Sequence, residues 1–289
     1  MRTKKAGTPF IGRIDLIIIY LTLSALFLCI PNSFSADLGI GVVSISQRQI
    51  PMIITKPGSY RLVGNLNVSS PNVTAISIDT DNVTIDLNGF TISGPGFQVG
   101  DIPAFGIVNA VTRTVNNVAV RNGTVQGFGL GVHLPGNQNR VENIHIYNTA
   151  HGIFVGRASI VSQCLVAYCY SEGINTDDGT LVLSNTIYSI NGHGIMTSGD
   201  APGPVGGVTL TGNNIRLCGT GIRAKGQGNR IEGNTITQCS TGIDLSEGSA
   251  NYFAKNLLQG NGSPWTGDYD DINGNSIDSA LSNIIIPMP

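Results

Sequence analysis

The sequence has few charged and few aromatic residues. Of its 289 residues, 12% are Asp, Glu, Lys or Arg, 6% are Phe, Trp or Tyr, and one is Trp. Glycine is abundant, with 38 residues, and Asn, Ser, Thr, Ile and Val fill much of the rest. This composition suits short strands joined by tight turns and does not favour long helices.

Cysteine is also scarce, and none of the five cysteines shows the CxxC spacing of a zinc site. We therefore expect no metal site. Cys218 and Cys239 are 21 residues apart, and we expect them to stack as buried thiols. A disulfide between them stays open as an alternative in an oxidising compartment.

The N-terminal segment predicts export. Residues 2–13 hold four cationic residues and residues 14–30 are almost wholly apolar, as in a signal peptide. We expect residues 1–36 to be the signal, with a retained membrane anchor as the alternative. The rest of the chain has 12 cationic and 17 acidic residues, a net charge of about −5. This balance argues against a nucleic-acid partner, and we expect no membrane contact after cleavage.

A repeat of about 21 residues runs through most of the chain. Glycine followed by Ile or Val recurs, mostly at 21-residue steps, at Gly106, Gly131, Gly152, Gly173, Gly194, Gly221 and Gly242. An asparagine series has the same period: Asn67, Asn88, Asn122, Asn143, Asn185, Asn213, Asn234 and Asn256, with Cys164 substituting once. Parallel strands place equivalent residues of successive coils above one another. The sequence therefore predicts an all-β fold, a single-stranded right-handed parallel β-helix of roughly ten coils.

Several segments resemble secreted bacterial proteins with right-handed parallel β-helix repeats. They are Asn-Val-Thr-Ile-Asp-Leu-Asn-Gly-Phe at 82–90, Arg-Asn-Gly-Thr-Val at 121–125, and the Gly-Ile coils. The resemblance implies the broad fold of pectate lyases and polygalacturonases, without transmitting a function. We expect an N-terminal cap at 37–65, repeats at 66–262 and an irregular C-terminal cap at 263–289. Inserted loops at 93–105 and 198–207 are expected to frame a binding face.

Polar side chains beside the Gly-Ile pairs predict a candidate site. His151, Glu172 and His193 directly precede the glycine in three successive coils. A carboxylate beside an imidazole can act as an acid/base pair, so Glu172 and His193 are the predicted catalytic residues. The predicted substrate-binding residues are Arg223, Lys225, Asn175, Asp177, His151 and Asp244.

Two strings are similar to polygalacturonase motifs: Gly192-His193-Gly194-Ile195 and Ile222-Arg223-Ala224-Lys225. The resemblance implies that His193 positions substrate and that Arg223 and Lys225 bind a uronate carboxylate. The chain departs from that family because it lacks three aspartates on adjacent coils. Lyase or epimerase chemistry stays open, with Arg223 and Lys225 neutralising a uronate and His193 abstracting a proton.

We expect no cofactor, although residues 268–275 have the oxygen-rich composition of a calcium loop without the EF-hand spacing. The sequence thus predicts an exported monomer that reaches the periplasm, the cell surface or the medium. We expect it to bind an extended polysaccharide, with uronate polymers as candidates for cleavage or modification. The alternative is a non-catalytic adhesion or structural protein of the cell envelope, and the sequence does not decide between enzyme and binder.

Overall fold

A computed structural model describes residues 41–98, 104–110, 112–197, 206–267 and 283–287. These residues form short β-strands and one 3-10 helix, Gln47–Gln49. Of the strands, 26 belong to one continuous system in which the recorded pairings are parallel. Among the described residues, no helix is long and apolar enough to cross a membrane.

The strands form three parallel stacks, which we call stacks A, B and C, and each coil contributes one strand to each stack. Each stack has ten rungs, so the ten predicted coils and the parallel β-helix are confirmed. Stack A contains Met52–Ile54, Thr74–Ile78, Phe105–Asn109, Leu130–Leu134, His151–Val155, Glu172–Thr176, the second part of Thr186–Thr197, the second part of Asn214–Ala224, Thr241–Asp244 and Ser263–Thr266.

Stacks B and C are built in the same way. Stack B contains Val43–Ile45, Gly58–Leu62, Val83–Asp86, the first parts of Val118–Gln126 and Arg140–Tyr147, Ile160–Ser162, Leu181–Leu183, Thr209–Thr211, Arg230–Glu232 and Tyr252–Ala254. Stack C contains Leu66–Asn67, Thr91–Ser93, the second parts of Val118–Gln126 and Arg140–Tyr147, Leu165–Ala167, the first parts of Thr186–Thr197 and Asn214–Ala224, Thr235–Thr237, Leu257–Gln259 and Ile284–Ile286. Two further short strands, Gly226–Gln227 and Gly248–Ser249, pair with each other.

The apolar residue of each Gly-(Ile/Val) pair lies in the core. Seven of these side chains stack in register along stack A, each at most 1% exposed: Ile107, Val132, Ile153, Ile174, Ile195, Ile222 and Ile243. The glycines before them are required by close packing. A Cβ on Gly152 would lie 2.3 Å from the carbonyl oxygen of Gly173 and 2.8 Å from Cγ1 of Val166. The repeat therefore marks where successive coils come closest.

The asparagine series forms two ladders rather than one. Asn122 and Asn143 have positive φ, lie at the turn between stacks B and C, and are linked by a 3.1 Å hydrogen bond. Cys164 and the later asparagines instead lie inside. Strand pairing explains the change, because His145 aligns with Leu165, a step of 20 residues. The 21-residue spacing therefore carries Asn143 to a different position of the next coil.

The interior ladder is a continuous hydrogen-bond chain. Asn234 Oδ1 accepts from the backbone N–H and the side-chain amide of Asn213, both at 3.0 Å. Its own amide donates to the carbonyl of Leu210 and to Oδ1 of Asn256. Cys164 occupies the first rung, and its N–H donates to Oδ1 of Asn185. These bonds satisfy amides that are almost fully buried.

Cys218 and Cys239 are free, buried thiols on successive rungs. The backbone N–H of Cys218 donates to Sγ of Cys239 at 3.4 Å. A hydrogen bond from Cys218 lowers the pKa of the Cys239 thiol, while its counterpart and burial raise that of Cys218.

Strands occur within both segments predicted as caps. Val43–Ile45, Met52–Ile54 and Gly58–Leu62 already pair with the stacks, and so do Ser263–Thr266 and Ile284–Ile286. The domain boundaries stay predictions. The signal segment 1–36, most of the 198–207 loop and the oxygen-rich segment 268–275 lie outside the described residues.

Candidate functional site

Stack A carries an outward row of side chains next to the buried apolar ladder. Its six members are aligned rung by rung, and each is partly exposed between buried neighbours: His133, Phe154, Asn175, Met196, Arg223 and Asp244. The period-2 alternation of a strand places them on the face opposite the core. The row therefore forms one continuous surface along the solenoid.

A carboxylate–imidazole pair lies at the start of the same strands. Glu172 Oε2 is 2.6 Å from Nδ1 of His151, with 16% and 48% of the respective side chains exposed. This hydrogen bond lowers the pKa of Glu172 and outweighs the opposing effect of burial. Glu172 and His193 are paired in register on adjacent strands. The short hydrogen bond of Glu172 thus joins it to His151, which the sequence assigned to substrate binding.

His193 contacts a cation on its other side. Its Nε2 lies 3.2 Å from Nη1 of Arg223. A guanidinium can only donate, so Nε2 accepts and the proton of the neutral ring is on Nδ1, which is buried without a hydrogen-bond partner. Burial and the positive charge of Arg223 lower the pKa of His193. The neutral imidazole is therefore favoured.

Arg223 and Lys225 share an acidic partner that sequence reasoning missed. Both cationic groups contact the carboxylate of Glu247, with 2.9 Å from Nζ of Lys225 to Oε2. Hydrogen bonds from Lys225 and then Arg223 lower the pKa of Glu247. The available signal was the spacing of 22 residues between Lys225 and Glu247, close to one coil.

Asp244 lies on the other side of Arg223, with 3.7 Å between Oδ2 and Nε. Its Oδ1 accepts hydrogen bonds from the backbone and hydroxyl of Ser246 and from the hydroxyl of Thr266. Burial would raise the pKa of Asp244, but these hydrogen bonds and Arg223 lower it overall. His193, Arg223, Lys225, Asp244 and Glu247 thus form a single ionic network.

A cavity of about 280 Å³ lies beside the His151–Glu172 pair. Its lining consists of Leu130, His133, His151, Ile153, Phe154, Glu172 and Asn175. The rings of His133 and Phe154 are stacked, 4.8 Å between centroids. Burial, and then the charge of His151, lower the pKa of His133. The cavity therefore combines an apolar wall with two imidazoles and one carboxylate.

The structure brings most of the predicted site residues together. His151, Glu172, His193, Arg223, Lys225 and Asp244 follow one another along stack A, and Asn175 lines the cavity. Asp177 follows directly after Glu172–Thr176. Its neighbour Asp178 accepts a hydrogen bond from the N–H of Gly206, at the end of the 198–207 loop. Within the described ranges, no group of three or more His, Cys, Asp or Glu residues is placed to hold a metal ion.

Fold and repeat define an exported right-handed parallel β-helix protein. The chain belongs to the NosD family, described as periplasmic copper-binding protein, and the match spans residues 77–285. The family's periplasmic location confirms the predicted export.

Solved structures with a similar fold include an Azotobacter vinelandii mannuronan C-5 epimerase AlgE6 A-module, with 12% identity, TM-score 0.47, and 82% of this chain and 83% of that chain covered. The periplasmic alginate epimerase AlgG has 15% identity, TM-score 0.47, and coverage of 80% and 69%. The Dettilon tailspike protein has 16% identity, TM-score 0.42, and coverage of 86% and 51%. Likeness at this level says nothing about activity. No curated protein matches the chain.

Proposed function

We propose that the stack A face binds an extended, uronate-containing polysaccharide and that Glu172 and His151 provide its acid/base pair. The supporting observation is the 2.6 Å contact between them at the edge of a cavity. A carboxylate that accepts from Nδ1–H fixes the imidazole tautomer and leaves Nε2 able to accept a proton. His151 is half-exposed, so substrate can reach it.

The nearby cations suit a uronate carboxylate. Arg223 and Lys225 are both bound to Glu247, whose side chain is 45% exposed. A substrate carboxylate can take the place of Glu247, because an exposed ion pair is weak in water. His193 then acts as a positioning residue that holds the guanidinium of Arg223 through Nε2.

This arrangement favours proton abstraction over hydrolysis. Neutralising a uronate carboxylate acidifies the adjacent C–H, and a base that removes this proton begins both β-elimination and epimerisation. Inverting or retaining hydrolysis usually needs two carboxylates around the glycosidic bond, whereas the cavity lining contains Glu172 as its one carboxylate. The proposed class is therefore a polysaccharide lyase or epimerase.

A second candidate is non-catalytic binding at the cell envelope. The observation that favours it is the internal neutralisation of the ionic network, in which Arg223 and Lys225 already contact Glu247 and Asp244. A network satisfied within the protein can fix the surface for adhesion without reacting.

Copper binding is the function in the family's description, and the described residues of this chain do not fit a preformed copper centre. His151 contacts Glu172, His193 contacts Arg223, and His133 stacks on Phe154. The thiols of Cys164 and Cys169 are buried, and burial raises their pKa to about 12 and about 11. We therefore derive no step through copper.

The proposed function is tested by incubating the purified protein with acidic and neutral polysaccharides and analysing products by mass spectrometry and NMR. We expect unsaturated or epimerised products from a uronate polymer alone. Glu172→Gln and His151→Gln should lower turnover by at least about a hundredfold, the usual contribution of acid/base catalysis.

The matched control is Glu232→Gln. Glu232 is also a carboxylate bound to two cations, Arg230 and Lys255, but it lies on stack B. It should retain wild-type turnover. Binding of the polymer without any product would support the non-catalytic candidate, and neither binding nor turnover would contradict both.

A further inference from the structure

A second cavity lies at the corner between stacks C and A. Its volume is about 370 Å³, and its lining is Phe97, Asn148, Thr149, Tyr168, Cys169, Tyr170, Ser189 and Asn191. None of these described lining residues is charged at neutral pH, which separates this cavity from the ionic network along stack A. Its walls offer aromatic rings, amides and hydroxyl groups.

Tyr168 occupies an unusual backbone conformation for a bulky residue. Its φ is 55°, in the left-handed region, and 56% of the residue is exposed. The equivalent turn positions in the neighbouring coils, Asn148 and Ser189, have the same conformation with small polar side chains. An aromatic residue at positive φ is an outlier whose cost is not offset by burial. The structure thus holds a tyrosine ring at the surface where a small polar residue is the easier choice.

Tyr170 is exposed on the same corner. It is 49% exposed, and the Phe97 ring from the 93–105 loop lies 6.1 Å from its own. The corner is also one residue longer than in the preceding coil. His145 aligns with Leu165 at a step of 20, whereas Leu130 aligns with His151, and Glu172 with His193, at steps of 21. The change of register between Leu165 and Glu172 thus coincides with the two exposed tyrosines.

We infer that this cavity binds one uncharged pyranose unit of a polysaccharide. The C–H face of a sugar ring carries a slight positive charge and packs on the negative face of an aromatic ring, and tyrosine combines such a face with a polar tip. The amides of Asn148 and Asn191 and the hydroxyl of Ser189 can bond sugar hydroxyls. A uronate would meet no cation in this lining, so a neutral sugar is preferred.

This inference rests on the proposed function for its polymer and specifies its composition. Tyr170 is two residues before Glu172 along the chain, so the two cavities flank the same corner. A polymer occupying both would place a neutral sugar beside the unit that contacts His151 and Glu172. The substrate class is therefore a mixed polymer of neutral sugars and uronates.

The test is titration of the full protein with neutral gluco-, manno- and galacto-oligosaccharides, followed by calorimetry and saturation-transfer NMR. Tyr168→Asn should bind at least one of them about tenfold more weakly than wild type, the order expected for losing an aromatic contact. Asparagine suits positive φ and occupies this position in Asn148, so the variant should fold at least as well. Tyr170→Ser should weaken binding by a similar factor.

Two controls separate this inference from the proposed function. Tyr252→Ala removes a tyrosine on stack B that packs against Arg230 and should leave binding unchanged. Glu172→Gln should bind neutral oligosaccharides like wild type even though its turnover is lost. Absence of neutral-sugar binding by the wild type, or equal binding by Tyr168→Asn, would overturn the inference while leaving the acid/base proposal testable on uronate polymers.

Discussion

At the scale of single residues, the environment of His193 couples stability to pH. The ring accepts from Arg223, is half-buried, and also faces Glu172, Asp244 and Lys225. Its folded-state pKa is lowered from the ordinary value of 6.5. The unfolded chain therefore binds a proton more readily, and the contribution of His193 to stability is present above 6.5 and lost as pH falls through the lowered pKa.

We expect the free energy of unfolding to fall when the pH is lowered from about 7.5 to about 5.5. His193→Gln should reduce this dependence, because glutamine can still accept from Arg223 but does not titrate. Urea unfolding at several pH values measures the effect. The exposed His145 provides the control, and His145→Gln should keep the wild-type slope; an unchanged slope in His193→Gln would refute the assignment.

The sequence predicted which polar residues share a face, and it could not predict their partners. Equal spacing brings His151, Glu172 and His193 onto successive rungs, as expected. The choice between two neighbouring imidazoles depends on side-chain rotamers, which spacing does not specify. Glu247 was missed because it lies in a turn after Thr241–Asp244, outside the repeat pattern.

At the scale of elements, the interior asparagine ladder makes one side chain serve several strands. Asn234 pairs with two groups of Asn213, with the carbonyl of Leu210 and with Asn256. Asn234→Ala leaves these buried groups without partners, each costing about 1–3 kcal/mol. We expect a loss of about 3–5 kcal/mol in urea unfolding. The exposed Asn143→Gly, which keeps the turn conformation, should lose much less, and equal losses would contradict the ladder's role.

Close glycine packing between strands gives a second prediction at this scale. Gly152→Ala would place a methyl group within 2.3 Å of a backbone oxygen, so the coils must separate. We expect destabilisation of about 1–3 kcal/mol, as for other overpacked cores, measured by thermal and urea unfolding. Gly64→Ala has nothing within 4 Å of the added Cβ and should change stability by less than about 0.5 kcal/mol. Similar effects at both positions would contradict this account.

The Gly-(Ile/Val) repeat predicted stack A and its core correctly because both follow directly from a period that stays at 21 there. The asparagine series was wrong as a single ladder because one corner changes length between Leu165 and Glu172. A local insertion of this kind leaves the spacing of Asn143 and Cys164 unchanged in the sequence while it alters their alignment in space.

At the scale of the whole molecule, the order of contacts is almost one-dimensional. Each coil pairs with the coil before it and the coil after it, as in other solenoids. Sequence could establish this architecture and export because both depend on long patterns. The polymer that the surface recognises depends instead on a few side chains at one corner, including Tyr168, whose backbone conformation no local pattern signals.

The stacking of ten coils also determines how the molecule responds to force. A load applied along the chain at one end acts on the last coil alone, while the coils behind it remain paired. Release of one coil of 21 residues frees about 70 Å of extended chain. The asparagine ladder crosses every rung from Cys164 to Asn283, so this half of the solenoid should yield in discrete steps, like a ratchet, rather than stretch smoothly.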